Sequence, residues 1–144
     1  MANTYRTSSG ERMTQAQLDK RIKDCKTLIS QSRLPVCTGT GKTDEILDMD
    51  HTLSVDMCKR IGKSELAYDP YNIVISSRTA HNIWEKGTIK ERMKLLNFDE
   101  RMLYLRKHCA ERFISLLIAV GSIDKEKYYQ LLHPFNDIEE YLQK

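Results

Sequence analysis

Ile46-Leu47-Asp48-Met49-Asp50-His51, followed about twenty residues later by Tyr71-Asn72-Ile73-Val74-Ile75-Ser76-Ser77-Arg78-Thr79-Ala80-His81, decides how this chain is read. The first run predicts a strand from Ile46 to Asp50, with His51 at its end. The second predicts a strand from Tyr71 to Ile75. Ser76 and Ser77 are expected to break that strand and to open a helix from Arg78 to Glu85, stopped by Gly87. His81 lies near the middle of this helix. The order is therefore strand, strand, helix, with an acid and an imidazole at one strand end, an amide opening the other, and a second imidazole on the helix.

Carboxylate, imidazole and amide in this arrangement are the side chains of a metal-dependent phosphodiester-cleaving site. A phosphodiester resists hydrolysis because its anion repels nucleophiles and its alkoxide leaves poorly. A divalent cation addresses both difficulties, and imidazole titrates near working pH and so suits a general base. Asp50-His51, Asn72 and a His nine residues beyond the Asn resemble the HNH endonuclease motif, the ββα-metal fold, over a stretch from about Leu34 to Gly87.

That resemblance implies roles. Asp50 and His81 would hold the divalent ion, with Asn82 supplying or bracing a metal contact. His51 would be the general base, and Asn72 would orient the loop bearing it. Arg78 lies three residues before His81 on the same helical face and would clamp a phosphate oxygen. Glu85, one turn after His81, would orient its ring or pair with Arg78. The ion would be Mg²⁺ or Mn²⁺ first, then Ni²⁺ or Zn²⁺, because a mixed carboxylate–imidazole set does not select one. Neighbouring strand residues point to opposite sides, so a distorted strand end is expected if Asp50 and His51 serve one substrate. Many similar proteins hold a structural zinc with two CxxC pairs. Here Cys37 is matched by Thr40, Ser77 and Ala80, so no structural zinc is expected.

The rest of the chain frames this motif. Residues 1–12 are polar and expected to fray. Thr14 and Gln17 stand in capping-box spacing and open a helix over 14–32, with Leu18, Ile22, Cys25, Leu28 and Ile29 on one face and a basic face opposite. That basic face either follows a phosphate backbone or is ordinary solvated surface. Gly41-Lys42-Thr43 lacks the earlier glycine of a phosphate-binding loop, since position 36 is Val. A short helix is expected around 54–62, and Asp69-Pro70 forms a turn before Asn72. Thr88 and Glu91 form a second capping box, opening a helix to Leu96. Asp99 is expected to cap a long helix over 99–120. Helices over 124–132 and 137–143 follow, capped by Asp124 and Asn136.

The fold class expected is α+β, mostly helical. Residues 1–87 would form the N-terminal helix and the ββα motif, with its core at 34–87. Residues 88–144 would be a helical extension serving as scaffold or dimerisation surface, without chemistry of its own.

The 144 residues carry a net charge of only +3, unevenly spread. Residues 44–70 hold seven acids against three Lys/Arg, while residues 1–43 hold eight Lys/Arg against three acids. Residues 71–113 hold nine Lys/Arg against five acids. An acidic centre between basic flanks suits a cation site beside a polyanion. No run is long and apolar enough to span a bilayer, and no leader is visible. Cys25, Cys37, Cys58 and Cys109 have no paired spacing and read as free thiols of a cytoplasm, bacterial or phage-infected. The function expected is hydrolysis of DNA, with RNA left open. The alternatives are a non-catalytic nucleic-acid-binding protein on the same scaffold, and a helical interaction protein in which the motif is accidental.

Overall fold

The computed structural model describes residues 3–43 and 46–133. It shows a mostly helical α+β fold. The first element is a hairpin of β1 (Thr4–Arg6) and β2 (Arg12–Thr14), where fraying was expected. Its stability comes from long-range contacts that a polar sequence does not announce. Met13 is buried, Tyr5 packs against the core, and Lys59 lies 4.2 Å above the Tyr5 ring.

Helix α1 (Gln15–Ser32) starts as expected. The Thr14 hydroxyl accepts from the Gln17 N–H, and the Gln17 side chain accepts from the Thr14 N–H. Leu18 and Ile29 are buried. Past its end, Arg33 donates to the carbonyls of Ile73 (2.6 Å) and Pro70, tying α1 to the second motif strand.

Strands β3 (Leu47–His51) and β4 (Ile73–Ser77) pair antiparallel, with Asp50 opposite Val74 and His51 opposite Ile73. Both start later than expected. Ser76 and Ser77 belong to β4 rather than breaking it, because their small side chains fit a buried strand end. Ser77 also caps α3 (Arg78–Lys86), its hydroxyl accepting from the Ala80 N–H at 3.1 Å. Gly87 closes α3, where a Cβ would meet the Ile83 carbonyl oxygen at 2.5 Å. Between the strands run α2 (Val55–Arg60) and a 3₁₀ turn, Ser64–Tyr68, which periodicity did not reveal. Gly62 takes φ +72° just after α2, a left-handed conformation that glycine adopts without a Cβ penalty.

The C-terminal helices differ most from expectation. Helix α4 (Ile89–Met93) keeps its Thr88/Glu91 capping box but stops three residues short of Leu96. The single helix expected over 99–120 is two, α5 (Phe98–His108) and α6 (Ala110–Gly121), broken at Cys109. The cap position is Asn97 rather than Asp99, and the Asn97 side chain bonds Thr38 instead. Residues 101–105 are all buried, so the middle of α5 is covered on every side. The break returns Phe113, Leu116, Leu117 and Val120 of α6 to the same core. Helix α7 (Lys125–Leu132) is capped by Asp124 as expected. The helix expected over 137–143 lies outside the described residues.

One hydrophobic cluster runs from Met13 and Leu18 through Trp84 and Phe98 to Leu131, so the core is continuous across residue 87. No described helix is long and apolar enough to cross a membrane. The four cysteines are free.

Candidate functional site

The β3–β4 pair followed by α3 brings the predicted residues to one end of the molecule. Because β3 stays regular through His51, its side chains alternate. Asp48 and Asp50 face α3 and α5. Met49 faces α1, packing with Ile29, Ile73 and Ile75. The expected distortion at the strand end is absent.

His51 is half-buried, and its Nε2 lies 2.7 Å from the Ala67 carbonyl oxygen. A carbonyl only accepts, so Nε2 carries the hydrogen and Nδ1 keeps its lone pair. Burial, joined by the nearby Lys26 charge, holds the imidazole pKa below its ordinary value despite the carbonyl's opposing pull. The ring is therefore neutral at neutral pH, with one nitrogen able to take a proton.

Asn72 is fully buried, and its side chain secures the segment between the strands. Its Oδ1 accepts from the Leu53 N–H at 2.7 Å. Its Nδ2 donates to the carbonyls of Leu53 (3.0 Å) and Leu66 (2.9 Å). Leu66 precedes Ala67, so the amide that grips the 3₁₀ turn also sets the carbonyl that orients His51. Asn72 is thus tied to His51 through the backbone of the 3₁₀ turn.

His81, on α3, lies between two carboxylates. Its Nε2 is 2.8 Å from Glu85 Oε1, and its Nδ1 is 3.6 Å from Asp48 Oδ2. Burial lowers its pKa, but the Glu85 hydrogen bond and the charges of Asp50, Glu85 and Asp48 outweigh it, so the net shift is upward. Glu85 thus orients His81 rather than pairing with Arg78. Arg78 instead bonds Asp48 through Nε and Nη2, each at 3.2 Å. That contact, helped by His81, holds the Asp48 carboxyl below the usual range against a modest cost of burial. Asn82 is exposed beside His81.

Asp50 is placed differently from the expectation. Its side chain is 1% exposed, and both carboxylate oxygens accept from Arg101 Nη2, at 3.1 and 3.2 Å. The Arg101 guanidinium is equally buried, lies 4.8 Å over the Trp84 ring, and has Thr52 Oγ1 at 3.5 Å. Trp84 donates its indole N–H to the Thr52 carbonyl, anchoring α3 to the end of β3. Among the described residues, no group of three or more His, Cys, Asp or Glu side chains gathers to hold a metal. As arranged, Asp50 does not fit a metal ligand, because a guanidinium already neutralises its oxygens and no solvent reaches them.

Arg101 is the residue that sequence reasoning missed. It stands 51 positions from Asp50, beyond any local pattern. The available signal was a cation directly before Met102-Leu103-Tyr104-Leu105, a run that calls for burial. The extension assigned no chemistry thus supplies the partner of Asp50. Its Tyr104 also donates to Asp69 at 2.8 Å, beside the turn that leads to Asn72.

Cys37, Thr40 and Ser77 are joined by hydrogen bonds. The Cys37 Sγ accepts from the Ser77 N–H at 3.1 Å and lies 3.6 Å from its hydroxyl. Burial raises the Cys37 pKa, but hydrogen bonds from Thr40 and Ser77 reverse the shift. Gly39 lets the chain pass close, since a Cβ there would come within 3.1 Å of the Ala80 Cβ. On the His51 face of the sheet, Asp19, Ile22, Lys23, Lys26, Thr27 and Ser30 of α1 line an open groove with Met49.

Comparison of the chain with protein-family models, curated proteins and solved structures finds no match.

Proposed function

We propose that this protein is a nucleic-acid phosphodiester hydrolase, an endonuclease of the HNH type, in which His51 activates the attacking water. The observation that carries this reading is the Ala67 carbonyl on His51 Nε2, which leaves a neutral Nδ1 as proton acceptor. The water gives a proton to Nδ1 as its oxygen attacks phosphorus, and the bond to the leaving oxygen breaks. Arg78, 69% exposed, can turn from Asp48 to a phosphate oxygen. A bound divalent cation would offset the charge that develops on the phosphate.

DNA is the substrate proposed. The groove with Lys23, Lys26 and Asp19 lies on the face of the sheet that His51 shares, opposite Arg78, and its two lysines suit a phosphate backbone. Four free thiols support a reducing cytoplasm, of a bacterium or a phage-infected host, as the working compartment.

The test is cleavage of supercoiled plasmid with Mg²⁺, Mn²⁺ or EDTA, by wild type and His51→Ala. Relaxed or linear product is expected with metal, absent in EDTA, and reduced about 10²–10⁴-fold in the variant, the usual contribution of a general base. A second reading is favoured by one observation, the Arg101 guanidinium on Asp50: a nucleic-acid-binding protein that does not cut. Gel retardation of DNA without cleavage, equal in wild type and His51→Ala, would establish that reading instead.

A further inference from the structure

We propose that the carboxylate serving with His81 as a divalent-cation site is Asp48, not Asp50. Both project from the same face of β3, roughly 7 Å apart along the strand, but their surroundings differ in kind.

Asp50 lies behind Trp84 with Arg101 on both oxygens. A dication there would have to displace a guanidinium that has no path to water, or sit beside it against direct repulsion. Asp48 is at the rim, its side chain 24% exposed, and its Arg78 partner is 69% exposed. An ion pair that open to solvent contributes little, so a cation can replace Arg78 at little cost. The released guanidinium is then available to a phosphate oxygen at the same place.

His81 is already arranged as a ligand. Donation from Nε2 to Glu85 at 2.8 Å puts the lone pair on Nδ1, the nitrogen that faces Asp48. A metal-binding histidine usually donates its other N–H to a carboxylate, which fixes the tautomer and raises the ring's basicity. The Nδ1 to Oδ2 distance is 3.6 Å, too long for a good hydrogen bond. Two ligands each about 2.1 Å from one ion stand roughly 3.0–3.4 Å apart in octahedral or tetrahedral geometry. Closing the gap requires a few tenths of an ångström. Two protein ligands leave the remaining positions to water and phosphate, as Mg²⁺ and Mn²⁺ sites commonly do.

The assignment rests on the hydrolase reading for its purpose, while cation binding is measured without it. The full chain, freed of metal, is titrated with Mn²⁺ and followed by water-proton relaxation. Asp48→Asn and His81→Ala are each expected to weaken Mn²⁺ at least tenfold, with circular dichroism unchanged. The pair variant Asp50→Asn with Arg101→Gln, which removes the buried charges together, is expected to bind Mn²⁺ within twofold of wild type. If the pair variant does not fold, Asp48→Asn alone decides. Wild-type affinity in Asp48→Asn, or no Mn²⁺ binding by wild type, overturns the proposal. Mn²⁺ held through Asp48 without plasmid cleavage would refute the hydrolase and leave this site standing. Metal-dependent cleavage with undiminished Mn²⁺ affinity in Asp48→Asn would do the reverse.

Discussion

At the scale of the residue, the two histidines of the motif are pushed in opposite directions. Burial depresses His51, whereas the carboxylates around His81 raise it. For a general base the consequence is direct. His51 keeps its acceptor nitrogen to a pH below the ordinary 6.5 of a histidine. The ascending limb of kcat/KM against pH for plasmid cleavage should have its midpoint below 6.5 and be flat through neutrality. A midpoint above that value would mean that another group supplies the base. The stability signs follow the same shifts. Between its two pKa values the unfolded chain binds more protons at His51, so this contribution is present above 6.5 and lost as pH falls through the folded value. His81 behaves oppositely, stabilising below 6.5 and losing that contribution as pH rises through its folded value.

At the scale of the element, the segment between β3 and β4 is shaped by one amide. Asn72 makes three buried hydrogen bonds to it, and Thr52 returns one to the Asn72 carbonyl at 2.8 Å. Truncation to Ala takes the partner from the Leu53 N–H, at a cost of about 1–3 kcal/mol if it stays dry, and leaves the Leu53 and Leu66 carbonyls only the Cys58 thiol and the Asp69 N–H. Asn72→Ala should therefore lose about 3 kcal/mol in urea denaturation. Amide exchange should quicken over residues 53–67, and kcat should fall more than KM rises. A loss below about 0.5 kcal/mol, the range of ordinary surface substitutions, would show that the turn holds itself. The positions of Asn72 and His51 were legible because the turn before one and the strand before the other are local patterns. The 3₁₀ turn between them was not, because a side chain beyond its end, Asn72, holds it rather than any periodicity of its own. The break at Cys109 was hidden for a related reason. Met102 to Val120 reads as one wide apolar face, and only packing decides that it must fold back on itself.

At the scale of the whole molecule, the buried Asp50–Arg101 pair joins the motif strand to the C-terminal helices. Removing one partner from such a pair typically costs about 3–5 kcal/mol, since the other charge stays buried and uncompensated. Arg101→Ala should destabilise by that amount, and Asp50→Asn combined with Arg101→Met should lose much less than the two single changes added. Additivity in this cycle, or a cost near that of an exposed pair, would show that water reaches the site. The pair also explains why residues 88–133 are more than a cap: without α5, the carboxylate beside His51 has no partner.

The sequence by itself determined the ββα order, the capping boxes at Thr14 and Thr88, the cap at Asp124, and the nearness of His51, Asn72 and His81. All of these rest on interactions between residues close in the chain or on the alternation and turn chemistry of short segments. Only the tertiary structure decided which carboxylate is closed off and which is open. Asp48 and Asp50 are equivalent in pattern, two residues apart on one strand face. What separates them is a guanidinium 51 positions away on α5, brought to Asp50 by the packing of Trp84, Phe98 and Met102, and no local rule of sequence carries that information.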